Sequence, residues 1–458
     1  MTPSADTLMQ RPSPWVCEDD LALLTDLYQL GLVRGHLEAG RSGRATFAVE
    51  ARRLPPSRRF LLACGQELVL EAVERLRFGA AALEHLRGFG VLGEDFLSWL
   101  ADFRFSGDAL GVPEGTPVFA REPILEVTGA LPEVQLIETL LVNQIHLQTA
   151  IASKAIRVVN AARGQPVVDF GLRRSHGVDA GVKSARACYI AGVAATSNVL
   201  AGRMWGIPVS GTMAHSYVEA HADELDAFRA FAARFGDTTL LVDTHDSLEG
   251  VRDLITLAEE QGDAFDVRAI RLAPGRDGRL ATEARALLDK AGLEHVDIFA
   301  SGGLDEHAIE RLVEDGAPIG GFGVGTEMAV PGDAPALDIS YTMVAYDGPG
   351  DVAVEDESVL PGPRQVFRIE VDGVAMRDVI AGAEEARPGR PLLVPLMRNG
   401  RVLEAARRPL SDVRAGARAA VRSLPERLRA IDGEDAPYPV EVSDPLEEAR
   451  RRRETANP

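Results

Sequence analysis

The residues most suited to chemistry lie near the middle of the chain, at the ends of two predicted strands. A short apolar strand ends near Phe170 and is followed at once by Arg173 and Arg174. A second predicted strand, 208–212, leads into a Gly-Thr-Met-Ala-His-Ser turn that contains His215. Paired arginines suit a phosphate or carboxylate, because each guanidinium can donate two parallel hydrogen bonds. The imidazole could be a nucleophile, a base, a metal ligand or a packed residue.

Two glycine-containing turns after later predicted strands are candidates for binding phosphate. Gly302 and Gly303 follow one strand, and Gly323, Gly325 and Thr326 follow the next. Backbone amides exposed at such turns and at helix starts favour an anion. The alternative is a tight strand-to-helix turn, for which glycine is equally suited. Two such turns late in a barrel favour phosphate, because phosphate sites are common there.

From Val167 onward, predicted strands alternate with predicted helices, which is typical of a parallel α/β sheet. Candidate functional residues at the strand ends favour a barrel, although periodicity alone does not separate a barrel from an open doubly wound sheet. The predicted strands are Val167–Phe170, Pro208–Thr212, Thr239–Asp243, Val267–Leu272, Asp297–Ser301 and Ile319–Gly323. After about Asp338 the pattern changes to a β-rich region, with predicted strands at Tyr341–Tyr346, Gln365–Val371 and Leu392–Met397.

The composition describes a globular protein with a large core. At 458 residues, 46% of them apolar, the chain is long enough for two domains. A formal net charge of -20 excludes a general nucleic-acid binder but allows a local pocket for small anions. Three scattered cysteines, without a C-x-x-C pair, predict a reducing cytoplasm. We expect no signal peptide and no membrane association.

Several segments resemble those of the nicotinate phosphoribosyltransferase family, in the family's order from about Asp19 to Asp444. The resemblance therefore covers nearly the whole chain. The matching segments are Thr-Asp-Leu-Tyr at 25–28, GVPEGTPVF, FGLRRSHG, ATSNVLAG, SGTMAHSYVEAH, Val-Asp-Thr at 242–244, IFASGGLDE, GFGVGT, LPGPRQVFR and APYPVEVS.

The resemblance implies an irregular parallel α/β barrel, similar to a TIM barrel, with a second, discontinuous α+β domain. We predict a flexible arm at 1–16, the discontinuous domain at 17–148 and 339–440, the barrel at 149–338, and a charged tail at 441–458. The implied reaction joins nicotinate to phosphoribosyl pyrophosphate, giving nicotinate mononucleotide and pyrophosphate, as a step of NAD salvage. ATP as co-substrate, Mg²⁺ as cofactor and a homodimer with shared sites are also implied.

In this family a histidine is phosphorylated by ATP, and His215 occupies the matching position. A phosphorylatable imidazole needs a fixed tautomer, usually held by a carboxylate on its other nitrogen. Asp243, which ends an apolar strand, is the predicted holder. It could instead cap the helix predicted from Ser247, but Asp246 is better placed for that role.

The remaining assignments concern the two substrates. Arg173 is expected to contact phosphate or pyrophosphate, although a surface ion pair with Asp169 or Asp179 is the alternative. Phe170 offers a ring on which pyridine could stack, and Arg271 adds positive charge near the base or ribose. Thr196 and Ser197 are expected at the base. Relatives that prefer nicotinamide carry aspartate at the second of these positions, whereas a serine hydroxyl can donate to the nicotinate carboxylate.

Tyr28 is expected to reach the base site of a neighbouring subunit, although a helix residue that packs within its own domain is the alternative. The chain also departs from its relatives in one loop. Many of them have Arg-Leu-Asp-Ser-Gly-Asp where this chain has Arg-Leu-Ala-Pro-Gly-Arg at 271–276. Alanine cannot replace the aspartate's polar contact, although Asp277 could compensate from a shifted loop. This change makes ligand binding without turnover a conceivable alternative function. Transfer to nicotinamide or another pyridine is a second alternative, which an aspartate at position 197 would have supported.

Overall fold

A computed structural model of the chain describes residues 15–275, 277–348, 359–432 and 436–456. The predicted N-terminal arm lies outside these residues except for Trp15 and Val16, and so does Arg276 of the altered loop. No helix in the described ranges is both long enough and apolar enough to cross a bilayer.

From Trp15 onward, the N-terminal third contains five strands and six α-helices, preceded by a short 3-10 helix at Glu18–Leu23. The strands are β1 (Arg44–Ala51), β2 (Leu61–Leu62), β3 (Asp108–Gly111), β4 (Pro117–Val118) and β5 (Pro123–Ala130). The helices are Leu27–Glu38, Gln66–Arg75, Ala80–Arg87, Glu94–Asp102, Leu131–Leu136 and Glu138–Ala161. The last of these is 24 residues long and mostly buried, because it packs against β2 and Gln66–Arg75 on one side and against two helices of the central part, Val178–Ile190 and Glu306–Glu314, on the other.

The central part forms a curved parallel sheet of six strands surrounded by helices. The strands are β6 (Val167–Asp169), β7 (Ala195–Thr196), β8 (Thr238–Leu241), β9 (Val267–Leu272), β10 (Asp297–Ser301) and β11 (Gly321–Val324). The helices are Val178–Ile190, Val199–Trp205, His215–Glu219, Glu224–Ala232, Ser247–Gln261, Arg279–Lys290, Glu306–Glu314 and Thr326–Ala329, with 3-10 turns at Leu172–Arg174 and Gly262–Ala264. The order β7-β6-β11-β10-β9-β8 is that of a barrel left open between β7 and β8.

The C-terminal part is rich in strands, as predicted. They are β12 (Ile339–Asp347), β13 (Arg364–Val371), β14 (Val374–Gly382), β15 (Arg390–Pro391), β16 (Val394–Arg398), β17 (Arg401–Val402) and β18 (Val440–Val442). The helices are Leu410–Arg422, Glu426–Arg429 and Asp444–Ala456, with a 3-10 turn at Glu404–Ala406. The charged tail thus begins with the end of β18 and continues as a helix.

One antiparallel sheet joins the two ends of the chain. Its order is β12-β1-β5-β3-β16-β17, so three strands come from the N-terminal third and three from the C-terminal part. β1 pairs with β12 along its whole length, and Phe47 stacks on Tyr341 with ring centroids 4.7 Å apart. The mixed α/β fold class is therefore confirmed, while the exact domain boundaries stay a prediction.

The structure corrects one predicted strand beside the opening of the barrel and adds one that the sequence did not predict. Pro208–Thr212 is not a regular strand, since only Val209 forms an isolated parallel bridge, to Thr196. The strand beside β6 is instead β7, at Ala195–Thr196. Two residues carry too short a pattern to be recognised, because strand prediction depends on alternation over at least four residues.

Candidate active site

The carboxyl ends of β6 and β7 are tied together by Asp169. Its Oδ1 accepts from the Gly171 amide at 2.8 Å, and its Oδ2 accepts from the Thr196 hydroxyl at 2.7 Å. Burial raises the pKa of this carboxyl, although both hydrogen bonds oppose the shift. Thr196 is itself buried and also accepts from the Asn198 amide at 3.1 Å. Its hydroxyl is therefore occupied by the framework, whereas Ser197 beside it stays half-exposed.

Arg173 and Arg174 lie on the exposed 3-10 turn directly after β6. Neither side chain forms a hydrogen bond or an ion pair with any residue that the structure describes. Of the two carboxylates expected as surface partners, Asp169 bonds to Thr196, and Asp179 pairs with Lys183 at 2.7 Å. The alternative of a surface ion pair is therefore not realised, and both guanidinium groups are available to an anion.

Arg271, near the end of β9, connects the end of β10 with the segment 208–212. Its Nε donates to the Ser301 hydroxyl at 2.5 Å, and its Nη1 donates to the Thr212 hydroxyl at 3.0 Å. The guanidinium carbon lies 5.8 Å from the centroid of the Phe170 ring. Burial lowers the pKa of Arg271, nearby Asp243 opposes this, and nearby Arg173 adds to it. Two arginines and an aromatic ring thus share one end of the sheet.

His215 is the first residue of the short helix His215–Glu219 and is exposed. Its Nδ1 lies 3.3 Å from the hydroxyl oxygen of Thr244. Asp243, the predicted holder, does not hydrogen-bond to the imidazole in this structure. One of its oxygens accepts from the Ala273 amide at 2.9 Å, and the other, Oδ1, is buried without a hydrogen-bond partner among the described residues. Thr244 was missed as a partner, although it directly follows Asp243 in the Val-Asp-Thr segment.

Glu224 is a second residue that sequence reasoning missed. It begins the helix Glu224–Ala232 and is buried, and its Oε1 has no hydrogen-bond partner among the described residues. Burial, with the nearby negative charges of Asp253 and Asp243, raises the pKa of Glu224 to about 7, although the nearby Thr244 amide favours the charged form and opposes the shift. A glutamate in the first turn of a helix is common, so no sequence signal separates this one from a surface residue.

The predicted phosphate-binding glycines fall into two groups. Gly302 and Gly303 are exposed after β10 with φ angles of 113° and 62°, which favour glycine. Gly323 instead lies buried within β11, where a Cβ atom would come within 2.5 Å of the Phe170 ring. Its absent side chain therefore makes room for Phe170. Gly325 and the exposed Thr326 begin the helix Thr326–Ala329 beside the Phe170 backbone.

Two further predictions concern positions outside this cluster. Tyr28 is 57% exposed on the N-terminal helix Leu27–Glu38, where its hydroxyl accepts from Gln29 at 2.8 Å and lies 3.5 Å from Glu138. Asp277 accepts from the Arg279 amide at 3.3 Å at the start of the next helix. The Ala273 amide, at the altered loop, donates to Asp243 at 2.9 Å. Compensation by Asp277 therefore stays a prediction.

Comparison with known proteins gives the same family along the chain. Residues 23–146 match the model of the nicotinate phosphoribosyltransferase (NAPRTase) N-terminal domain. The chain is 49% identical to a nicotinate phosphoribosyltransferase of Mycobacterium tuberculosis, over 92% of each chain. It is 39% identical to that of Bacillus subtilis, over 77% of this chain and 74% of the relative.

The crystal structure of human nicotinic acid phosphoribosyltransferase superposes with a TM-score of 0.83 at 26% identity, covering 93% of this chain and 99% of the human one. The match extends over the parallel sheet as well as the joined antiparallel sheet, so it does not depend on the N-terminal domain alone. The chain belongs to the nicotinate phosphoribosyltransferase family.

Proposed function

We propose that this protein transfers the phosphoribosyl group of phosphoribosyl pyrophosphate to nicotinate. The observation that carries the proposal is that Arg173 and Arg174, unpaired in the described part of the chain, lie with Arg271 and the Phe170 ring at one sheet end. Such a site offers cationic groups to a phosphorylated sugar and an aromatic face to a pyridine. The relatives described above carry the same activity in their names, which supports the choice of substrates.

In the proposed reaction the pyridine nitrogen attacks the anomeric carbon as its bond to pyrophosphate breaks. The nitrogen lone pair forms the new C–N bond, and the electrons of the broken C–O bond leave with pyrophosphate. The chain contributes mainly position and charge. Arg173 and Arg174 would hold the phosphates, Phe170 would orient the ring, and the exposed amides of Gly302 and Gly303 would contact the leaving group. The product, nicotinate mononucleotide, places the reaction in NAD salvage.

Nicotinate is favoured over nicotinamide by Ser197. The Thr196 hydroxyl is engaged with Asp169, so Ser197 is the neighbouring residue whose hydroxyl remains for the base. It can donate to a carboxylate, while Arg271 nearby adds positive charge. A nicotinamide site would gain from an acceptor at this position, which serine provides less well than aspartate.

ATP would be coupled through phosphorylation of His215. The imidazole is exposed, so its Nε2 can attack a γ-phosphate while Nδ1 remains bonded to Thr244. ADP would leave, and hydrolysis of the labile N–P bond would return the histidine. Asp243, adjacent to Thr244, is the candidate to bind Nδ1 once the ring carries a phosphoryl group, because its Oδ1 has no other hydrogen-bond partner among the described residues.

Mg²⁺ would bind here mainly through the phosphate oxygens of the substrate, and not through a set of protein side chains. No group of three or more potential metal-binding side chains occurs within the described ranges. Mg²⁺ commonly takes one or two carboxylates together with phosphate oxygens and water. The phosphate oxygens and water would therefore hold most of the ion's coordination sphere, and the ion would neutralise charge on pyrophosphate.

A homodimer with shared sites remains part of the proposal. Tyr28 lies on a helix whose exposed face also carries Leu27 and Leu32, 59% and 45% exposed. An apolar face of this kind is suited to a second copy of the chain, which would bring Tyr28 to the partner's base site. A cytoplasmic location is supported by Cys64 and Cys188, which are buried and unpaired.

The test is to incubate the purified protein with nicotinate, phosphoribosyl pyrophosphate, Mg²⁺ and ATP, and to follow mononucleotide by mass spectrometry. Parallel reactions would replace nicotinate by nicotinamide, omit ATP, or use His215→Ala. His295→Ala is the matched control, because His295 is also exposed but lies before the amino end of β10. We expect the protein to form nicotinate mononucleotide, and to form it faster when ATP is present. The increase in rate caused by ATP should be lost in His215→Ala and kept in His295→Ala. No product from either base, despite ligand binding, would refute the catalytic proposal.

A further inference from the structure

A cleft of about 830 Å³ opens at the amino ends of β6 and β7, opposite the end that carries Phe170 and His215. Gln165, directly before β6, and Ala194, directly before β7, both line it. The other wall is formed by the C-terminal helices Leu410–Arg422 and Glu426–Arg429. Its size lies within the range of small-molecule sites.

The cleft is positively charged within an acidic protein. Two glutamates, Glu310 and Glu426, line it together with five arginines, a local excess of three positive charges in a chain of net charge -20. The arginines are Arg163, Arg414, Arg418, Arg422 and Arg429. Like charges repel unless something compensates them, so their collection in one cleft favours an anionic ligand.

Two of these arginines form contacts within the protein that stabilise the fold. Arg414 donates to the carbonyl oxygens of Tyr189, Gly192 and Val193 and lies 4.5 Å from the Tyr189 ring centroid. Arg163 pairs with Glu314 at 2.5 Å, with both side chains about half-exposed. Their contacts account for their positions without any ligand.

The other three have no such explanation. The side chains of Arg418, Arg422 and Arg429 form no hydrogen bond or ion pair with any residue in the described part of the chain, and the Arg429 Nε is buried. The Gln165 side-chain oxygen in the same cleft is likewise buried without a donor among the described residues. Buried polar atoms normally have partners, because each unsatisfied one costs free energy. The cleft thus holds one buried donor and one buried acceptor without partners among the described residues, beside the exposed guanidinium groups of Arg418 and Arg422.

We propose that this cleft binds a nucleoside phosphate at a second site, separate from the reacting groups. Guanidinium groups of Arg418, Arg422 and Arg429 would contact the phosphates, for which their planar donors are suited. The Gln165 oxygen would accept from a hydroxyl or amino group of the nucleoside. Binding at this end of the sheet does not depend on the proposed reaction, so the two proposals can fail separately.

The test uses the full chain and ADP, with binding measured by isothermal titration calorimetry. An Arg173→Glu background weakens anion binding at the opposite end and leaves the cleft intact. In that background we compare Arg418→Glu/Arg422→Glu with Arg311→Glu/Arg427→Glu, a control with the same charge change at exposed arginines outside the cleft. Circular dichroism confirms folding, and Arg418→Gln/Arg422→Gln replaces the first pair if it does not fold.

We expect the background protein to retain one ADP site, weakened about 100-fold in the cleft variant and by less than about twofold in the control. Adenosine should bind far more weakly than ADP, because it lacks the phosphates. Tripolyphosphate should also bind more weakly, because it has no donor for Gln165. Failure of the background protein to bind ADP, or equal affinity in both charge variants, would overturn the site. Equal binding of tripolyphosphate and ADP would overturn the nucleoside part.

Discussion

Arginines occupy two opposite environments in this molecule. On β13, Arg364 and Arg368 are fully buried and paired, the first with Glu50 and Glu126 of β1 and β5 and the second with Asp378 of β14. At the carboxyl end of the parallel sheet, Arg173 is exposed and has no ion-pair partner in the described part of the chain. A guanidinium that is paired with buried carboxylates connects strands of the fold. A guanidinium without a carboxylate partner can instead bind an anionic ligand.

The difference predicts which property each arginine controls. Removing a buried partner leaves an uncompensated charge in the core and should destabilise the fold. Removing an exposed, unpaired guanidinium should leave stability nearly unchanged and reduce substrate binding and turnover. Measurements of unfolding and of activity on the same variants therefore separate the two roles.

Arg368→Met should have the largest effect on stability, about 3–5 kcal/mol, because Asp378 would stay buried without its partner. In the protein Arg368 pairs with Asp378 at 2.5 Å and donates to the Pro117 carbonyl at 2.9 Å. Urea unfolding measures the loss. Arg390→Met is the control, because Arg390 pairs with Glu370 at 2.9 Å in the same sheet but is half-exposed, so about 1 kcal/mol or less is expected. An equal decrease in the free energy of unfolding in both variants would contradict the proposed difference between buried and exposed arginines.

Arg173→Ala should lower kcat/KM for phosphoribosyl pyrophosphate by about 100- to 1000-fold, or about 2.7–4 kcal/mol. Its free energy of unfolding should change by less than about 0.5 kcal/mol, because the side chain has no partner among the described residues. Steady-state kinetics and urea unfolding check the two halves. Arg234→Ala, at an exposed arginine before β8, should change neither. A large loss of stability in Arg173→Ala would show a structural role instead.

The sequence was sufficient for the repeating part of the fold. Five of the six predicted barrel strands correspond to observed ones, and Asp246 caps the helix from Ser247 through the Leu248 and Glu249 amides, as expected. Apolar strands and capping side chains act over a few residues, so their signals are local. The two-residue β7 and the sheet joining both chain ends depend on contacts distant in sequence, which local patterns do not specify.

For the site, residue type and strand-end position indicated the cluster of Phe170, Arg173 and Arg271 but not its internal hydrogen bonds. The sequence favoured Asp243 as the partner of His215, whereas the structure has Thr244 in that place. Adjacent residues on a loop point in different directions, and the chain turn decides which reaches the ring. Nothing in the sequence indicated the role of Gly323, because Phe170, which it contacts, follows β6 and is distant from Gly323 in sequence.

Gly323→Ala tests whether Gly323 makes room for the Phe170 ring, in contrast to the exposed glycines that are predicted to bind phosphate. The new Cβ would lie 2.5 Å from one carbon of Phe170 and 2.8 Å from a carbon of Phe299, so the rings must move, at a cost of about 1–3 kcal/mol. We expect a raised KM for nicotinate as well, because the displaced Phe170 ring would stack less well. Gly332→Ala, at an exposed glycine with no atom of the described residues within 4 Å, is the control.

A double variant tests the cause. Phe170→Leu should remove most of the stability cost of Gly323→Ala, giving a coupling energy of about 1 kcal/mol or more in a double-mutant cycle. Additive losses would show that the alanine clashes with something other than Phe170.

Glu224 gives the smallest expected effect and the clearest contrast with the buried carboxylates that pair with the arginines of β13. It is buried like Glu126, but its neighbours are Asp243 and Asp253 rather than an arginine, which raises its pKa to about 7 from an ordinary 4.5. Between these values the folded state holds a proton that the unfolded state has released. The contribution of Glu224 to the free energy of unfolding therefore decreases as the pH rises from about 5 to 8.

Glu224→Gln keeps the shape and removes the titration. Relative to the native protein, the variant should be about 1–2 kcal/mol more stable at pH 8.5 than at pH 5, measured as the difference between their urea unfolding free energies at each pH. Glu259→Gln, at an exposed glutamate on the helix Ser247–Gln261, should show no such pH dependence. A constant difference for Glu224→Gln at both pH values would mean that the carboxylate stays charged in the fold. In that case the Thr244 amide alone would compensate its burial, and the carboxyl end of the sheet would tolerate an unpaired negative charge as readily as it holds unpaired arginines.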